Sequence, residues 1–134
     1  MIRILLITAT ALLRFTGSNA QVTTHKSYYD NGRLKQVTHQ GNYNGCGVPV
    51  GTDSLFDASG KLAETISYQH KGKSNTGCHD IITRKTITTY YSNGRRKTLS
   101  FQEECYECEP KSYGVWKWYD RNGKLIKSEK KDLP

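Results

Sequence analysis

The chain has little of what a large apolar core requires. Of its 134 residues only 35% are hydrophobic, and it contains one methionine, two tryptophans and three phenylalanines. Its mean hydropathy is −0.71. After residue 20 no stretch approaches the roughly twenty apolar residues that a membrane-spanning helix needs. No stripe at i, i+3, i+4 and i+7 is sustained over a dozen residues, so helix is not expected in that part. The common catalytic signatures are missing too. There is no serine in a nucleophile elbow, no glycine-rich phosphate loop ahead of a helix and no His-Glu-x-x-His. His25, His39, His70 and His79 do not pair at metal-ligand spacing, and the acidic residues form no recognisable inward-facing pair. These absences point away from an enzyme.

The formal charge of +8 comes from 20 Lys and Arg against 12 Asp and Glu. The cations are spread along the chain, with Arg95-Arg96-Lys97 and Lys130-Lys131 as the tightest groups, while Glu103, Glu104, Glu107 and Glu109 form an acidic cluster. A nucleic-acid binder concentrates its cations on one face with exposed aromatics between them. This pattern fits solvated strand faces instead, and no nucleic-acid partner is expected.

Residues 1–20 read as a secretory signal peptide. Arg3 precedes an apolar run from Ile4 to Leu13, and Ser18-Asn19-Ala20 ends in small residues, so cleavage is expected after Ala20. An uncleaved anchor or a buried first strand is the alternative reading. The expected domain is then 21–134, located in the periplasm, at the cell surface or outside the cell. Four cysteines in an exported chain point first to disulfides.

Internal repetition organises the rest. Tyr28-Tyr29-Asp30-Asn31-Gly32-Arg33-Leu34-Lys35 returns as Tyr90-Tyr91-Ser92-Asn93-Gly94-Arg95-Arg96-Lys97. Leu55-Phe56-Asp57-Ala58-Ser59-Gly60-Lys61-Leu62 returns as Trp118-Tyr119-Asp120-Arg121-Asn122-Gly123-Lys124-Leu125. Each copy has two bulky residues, a polar turn ending in Gly32, Gly60, Gly94 or Gly123, and a cation. The turns fall near 30–33, 57–61, 92–95 and 120–124. Asn31-Gly32 and Asn93-Gly94 suggest two-residue type I′ loops, which need positive φ at both positions. The other two suggest a type I turn with a left-handed Gly and a G1 bulge. Gly32 to Gly94 is 62 residues and Gly60 to Gly123 is 63, as for a two-hairpin unit duplicated once.

The flanks read as strands. Ile81 to Tyr91 is rich in Ile, Thr and Tyr, and Leu62, Ile66 and Tyr68 are expected on one side of a strand with Ala63 and Thr65 on the other. The result is an all-β meander of four antiparallel hairpins, eight strands forming one twisted repeat sheet. The four glycine turns lie at one end, with Pro49 and Pro110 in connections at the other.

The segment Gly114-Val115-Trp116-Lys117-Trp118-Tyr119-Asp120-Arg121-Asn122-Gly123-Lys124-Leu125 resembles one unit of the variant MORN repeat, found in bacterial proteins often labelled YwqK-family antitoxins. Gly51 to Leu62 is similar more loosely, and the first and third copies only around their turns. The resemblance implies a sheet of stacked hairpins serving as a binding surface, with no catalysis. The connections here are longer than the family's usual spacing and carry cysteines. A signal peptide also fits a cytoplasmic antitoxin poorly, and three readings stay open: an exported protein-binding module, which is the one expected, a cytoplasmic antitoxin-like inhibitor of a toxin, and an enzyme with an unrecognised site.

Cys46, Cys78, Cys105 and Cys108 all fall in the connections, at one end of the expected sheet. Cys46 and Cys108 are equivalent under the duplication and would sit four strands, roughly 19 Å, apart, beyond the span of about 7 Å that a disulfide bridges. Cys46–Cys78 and Cys105–Cys108 are the expected pairs, with crossed pairs through Cys78 as the alternative. Zinc at the four cysteines is a further alternative, because Cys105-x-x-Cys108 has the spacing of half a site. The glutamates around that pair raise a thiol pKa and argue against a reactive thiol.

The aromatics Tyr28, Tyr29, Phe56, Tyr90, Tyr91, Trp116, Trp118 and Tyr119 recur ahead of the turns. Strand alternation predicts Tyr29, Phe56, Tyr91 and Tyr119 on one face, and Tyr28, Leu55, Tyr90 and Trp118 on the other. Either stripe is core or, with no helix to cover it, an open protein- or glycan-binding surface. The two edges of such a sheet can also pair with a second copy.

Overall fold

A computed structural model describes residues 21–72 and 77–132. The expected signal peptide lies outside the described residues. The elements are β1 (Thr23–Tyr28), β2 (Leu34–Tyr43), β3 (Cys46–Pro49), β4 (Thr52–Phe56), β5 (Leu62–Lys71), a 3-10 turn (Cys78–Asp80), β6 (Ile82–Tyr90), β7 (Arg96–Cys105), β8 (Lys111–Ser112), β9 (Gly114–Tyr119) and β10 (Leu125–Lys131). All strands join one antiparallel sheet in the order β1-β2-β4-β5-β6-β7-β9-β10, with β3 on β2 and β8 on β7. The eight-strand meander read from the repeats is this path.

The two additional strands arise inside the connections. Tyr43 pairs with Cys46 around Asn44-Gly45, and both turn residues have positive φ, 51° and 84°, so the type I′ loop is here. Pro49 therefore closes a strand rather than lying in a loop. Its missing N–H costs the β2–β3 ladder nothing, because the neighbouring Val50 N–H is the one that reaches β2, at the His39 carbonyl.

All four repeat turns are of one kind, which corrects the expected alternation of short and long loops. Gly32, Gly60, Gly94 and Gly123 donate to the carbonyls of Tyr29, Asp57, Tyr91 and Asp120, three residues back. Each of these four glycines has positive φ. Asn31 and Asn93 do not adopt positive φ. They sit inside a type I turn that starts one residue earlier, with their Oδ1 accepting from Arg33 and Arg95 N–H. Tyr29 and Tyr91 thus take the place that Asp57 and Asp120 take in the other hairpins.

This one-residue correction also re-sorts the aromatics. Tyr28, Phe56, Tyr90 and Tyr119 occupy the equivalent ladder positions, opposite Leu34, Leu62, Arg96 and Leu125. A bulge on each return strand follows, which moves Leu62 to the face opposite Ile66 and Tyr68. Two rows cross all eight strands. One runs Ser27, Gln36, Leu55, Glu64, Thr89, Thr98, Trp118, Lys127. The next runs Lys26, Val37, Ser54, Thr65, Thr88, Leu99, Lys117, Ser128 on the other face. By alternation along β1, β4, β6 and β9, the four ladder aromatics share the second row's face, and Leu55 and Trp118 lie on the first.

The sheet has no covering layer among the described residues, and its core is correspondingly small. Cys46, Val48 and Ile81 are buried, with Tyr43 and Val50 packed against them. Cys46 bonds Cys78, with Cα atoms 5.7 Å apart, and Cys105 bonds Cys108, with Cα atoms 5.0 Å apart. The first bridge lies in this core, at the end of the sheet away from the repeat turns. These are the two pairs expected from the array.

Candidate binding surface

The turn end is held by a clasp that occurs twice. Tyr29 and Tyr91 donate their hydroxyls to the carbonyls of Phe56 and Tyr119, at 2.6 and 2.9 Å. Asn31 and Asn93 side chains donate to Ala58 and Arg121 carbonyls, and Arg33 and Arg95 donate to those of Ser59 and Asn122. Asp57 and Asp120 close their own turns through Ser59 and Lys61, or Asn122 and Lys124, N–H groups. The hydrogen bond from Ser59 chiefly holds the Asp57 carboxyl below its ordinary range. Tyr29 and Tyr91 are therefore spent on joining hairpins one to two and three to four, rather than standing free for a ligand.

The tryptophans are placed differently. Trp116 and Trp118 point to the same face of β9, with ring centroids 6.2 Å apart. Lys127 lies 4.7 Å from the Trp118 ring and Lys131 5.5 Å from that of Trp116. Glu129 sits between these lysines and bridges both; hydrogen bonds from Lys131 and then Lys127 hold its carboxyl below the usual range. The Trp116 indole N–H donates to the Phe101 carbonyl at 3.2 Å, which fixes the ring's plane. The result is a half-exposed aromatic pair framed by cations.

On the other face Phe101 and Tyr113 lie 5.7 Å apart, with Arg84 over the Tyr113 ring at 5.1 Å. Leu99, Phe101 and Tyr113 form one side of a shallow apolar cleft of about 270 Å³ that Val115 and Lys117 complete. Burial raises the Tyr113 phenol pKa. Phe101 and Tyr113 lie outside the repeated motif, which is why sequence reading missed them. They are brought together by a two-residue register shift at Tyr113-Gly114, where β8 passes into β9 and Tyr113 N–H reaches the Phe101 carbonyl. Val50-Gly51 makes the same shift in the first half, with φ of 69° at Gly51 and 71° at Gly114.

The middle of the sheet holds a polar network that the sequence did not single out. Asp53 is buried and accepts from His39 N–H and the Tyr68 hydroxyl, both at 2.8 Å. Burial, then this bond to Asp53, raises the Tyr68 phenol pKa. His70 donates Nε2–H to the Pro49 carbonyl and accepts from Thr83 at Nδ1. Arg84 and Lys71 converge on Glu103 at 2.7 and 3.0 Å, and Lys85 pairs with Glu104 at 2.7 Å. These groups are bonded mainly to one another; His39 Nδ1 is buried 3.4 Å from Asp53 without a hydrogen bond, and Glu103 and Glu104 also line the cleft at the cysteine end. The arrangement stiffens a single-layer sheet.

The cysteine end has a second cleft, of about 360 Å³, lined by His79, Glu103, Cys105, Cys108 and Glu109 among others. It contains Cys105 and Cys108 as a disulfide, with His79 beside Glu107 at 3.6 Å.

Comparison with protein-family models places a MORN repeat variant at residues 113–129. That segment spans β9, its turn and most of β10, the hairpin that carries both tryptophans. It supports reading the chain as a MORN-repeat protein. No curated protein and no solved structure matches the chain.

Proposed function

We propose that the chain is an exported, non-enzymatic interaction module whose tryptophan-bearing face binds a protein partner with acidic and apolar groups. The observation that carries the reading is the Trp116–Trp118 pair, half-exposed between Lys127 and Lys131 on a sheet face that none of the described residues covers. Aromatic residues on a fixed scaffold bury area with little loss of side-chain freedom, and flanking cations favour an acidic counterpart. Two disulfides support an oxidising destination, and cysteines kept in such bridges would offer no thiolate to zinc. The alternative, a cytoplasmic YwqK-type antitoxin-like inhibitor, would use the same face but keep free thiols and residues 1–20.

Intact mass from fractionated cells tests export. The expected species begins at Gln21, lies outside the cytoplasm and gains the mass of four hydrogens on reduction, two for each bridge. A full-length cytoplasmic species with free thiols would establish the antitoxin-like alternative. Cross-linking of partners to the protein and to the variant carrying Trp116→Ala and Trp118→Ala tests the surface. The same partners recovered from both would remove it.

A further inference from the structure

We propose that copies of this chain join head to tail, with β10 of one copy pairing with β1 of the next in the register that β5 and β6 use within the chain. This goes beyond the proposed function, since it uses the sheet's edges and leaves the tryptophan face free.

The duplication makes β1 the counterpart of β6, and β10 the counterpart of β5. The β5–β6 ladder is the seam between the two halves, and among the described residues β1 and β10 end the sheet with no strand paired to their outer sides. Within the seam Glu64 opposes Thr89, Thr65 opposes Thr88, Ile66 opposes Ile87, Ser67 opposes Thr86 and Tyr68 opposes Lys85. Carried over by the repeat, the same ladder sets Lys127 opposite Ser27 of the next copy, Ser128 opposite Lys26, Glu129 opposite His25, Lys130 opposite Thr24 and Lys131 opposite Thr23.

The backbone is oriented for this pairing. Tyr29 N–H turns inward to the Arg33 carbonyl, so alternation sends the amides of Thr24 and Lys26 outward. Tyr68 N–H turns to the Gly51 carbonyl, so Thr65 faces β6, and its counterpart Ser128 faces outward. Ser128 and Lys26 of the next copy can then exchange both bonds, as Thr65 and Thr88 do.

The side chains agree independently. Val22, Tyr28, Leu125 and Ile126, four of the six exposed large hydrophobic residues, lie on or beside these two edges. Tyr28 is 59% exposed and Ile126 63%, whereas their seam counterparts Tyr90 and Ala63 are half-buried. One step along the ladder from Lys127, Ile126 meets Tyr28 of the next copy. In the seam the Tyr90 hydroxyl lies 3.3 Å from that of Thr65, and Ser128 preserves a hydroxyl for Tyr28 to meet. No cation faces a cation in this register, and Glu129 faces His25. A slip of one residue in either direction would swap the faces of the sheet, and in one direction would also oppose Lys127 to Lys26. Lysines on both edges temper the pairing, so added salt strengthens it. The contact is heterologous and need not close, so it propagates.

The test is sedimentation velocity over a concentration series, on the full chain recovered from expression in an oxidising compartment. Lys26→Pro and Ser128→Pro each block one edge at an outward amide. The expected result is assembly beyond the dimer for the unmodified chain, monomers for each variant alone, and a dimer with nothing larger for their equimolar mixture. Monomers of the unmodified chain at every concentration would overturn the proposal. So would loss in only one variant, which means a symmetric edge pairing, or loss in neither. Should either proline disturb the fold by circular dichroism, His25→Glu replaces it. It is expected to abolish assembly, and Glu129→Lys added to it to restore assembly; no effect of His25→Glu, or no rescue, overturns the register.

Discussion

The Tyr91 hydroxyl donates to the Tyr119 carbonyl across 28 residues of sequence, at 2.9 Å. Tyr29 makes the same bond to Phe56 in the other half. Each pair links the turn of one hairpin to the last strand residue before the turn of the next. Tyr29→Phe and Tyr91→Phe are each expected to cost about 1 kcal/mol, the value of one such hydrogen bond. The two lie in separate halves, so their effects add. Denaturant unfolding of the singles and the double measures this, and strong non-additivity would mean that the halves share more than the β5–β6 seam.

The two disulfides differ in what they close. Cys46–Cys78 spans 32 residues and Cys105–Cys108 only 3. Loop-closure entropy then assigns about 3–4 kcal/mol to the first bridge and half of that or less to the second. Replacing Cys46 and Cys78 by Ala lowers the unfolding midpoint far more than replacing Cys105 and Cys108. Equal losses would show that strain or packing, rather than chain constraint, sets the effect.

Gly51 and Gly114 occupy equivalent positions with nearly the same φ, yet their surroundings differ. A Cβ at Gly51 meets nothing within 4 Å, whereas one at Gly114 lies 3.2 Å from Phe101 Cδ2. Gly51→Ala is expected to cost only the backbone strain, about 1 kcal/mol. Gly114→Ala adds a displaced Phe101, roughly 1 kcal/mol more, and shifts the near-ultraviolet circular dichroism of the Phe101–Tyr113 cluster. Equal losses at the two sites would show that Phe101 gives way freely.

Two glutamates impose opposite pH dependences. Arg84, through its hydrogen bond, and then Lys71 hold the Glu103 carboxyl below the usual range. Its contribution is therefore complete above the unfolded value of about 4.3 and is lost as pH falls through the lower folded value. Glu103→Gln costs on the order of 1 kcal/mol at pH 7 and flattens the acid limb. Burial raises Glu64 instead. Its folded state favours the proton, so that stabilisation is present below the unfolded value and is lost as pH rises through the folded one. Glu64→Gln raises the midpoint at pH 7, and the gain disappears below about pH 4. Unfolding midpoints between pH 3 and 7 for both variants separate the two.

The meander, the duplication and both disulfide pairs were legible because each is written locally or in the spacing of repeats. The turn type was not. Asn31-Gly32 satisfies the two-residue rule on its own, but Tyr29 is drawn into the turn by a carbonyl 27 residues away, a contact no window contains. The type I′ signal was present at Asn44-Gly45 and went unread because it falls outside the repeated octets. One misplaced residue then exchanged Tyr28 and Tyr90 with Tyr29 and Tyr91 between the expected stripes, since a shift of one reverses every face. Of the candidate surface, Trp116 and Trp118 could be read from sequence, while Lys127 and Lys131 above them required the β9–β10 register.

The Cys46–Cys78 bridge encircles the whole second hairpin, including the exposed tip at Ala58, Ser59, Gly60 and Lys61. A trypsin-like protease that cuts after Lys61 opens the backbone without separating the pieces. The nicked molecule travels as one chain until reduced, whereas a cut after Arg33, Arg95 or Lys124 falls outside the ring and leaves two polypeptides with no covalent tie. The second hairpin is thus a stretch of this chain that can be broken and still stay whole until its bridge is reduced.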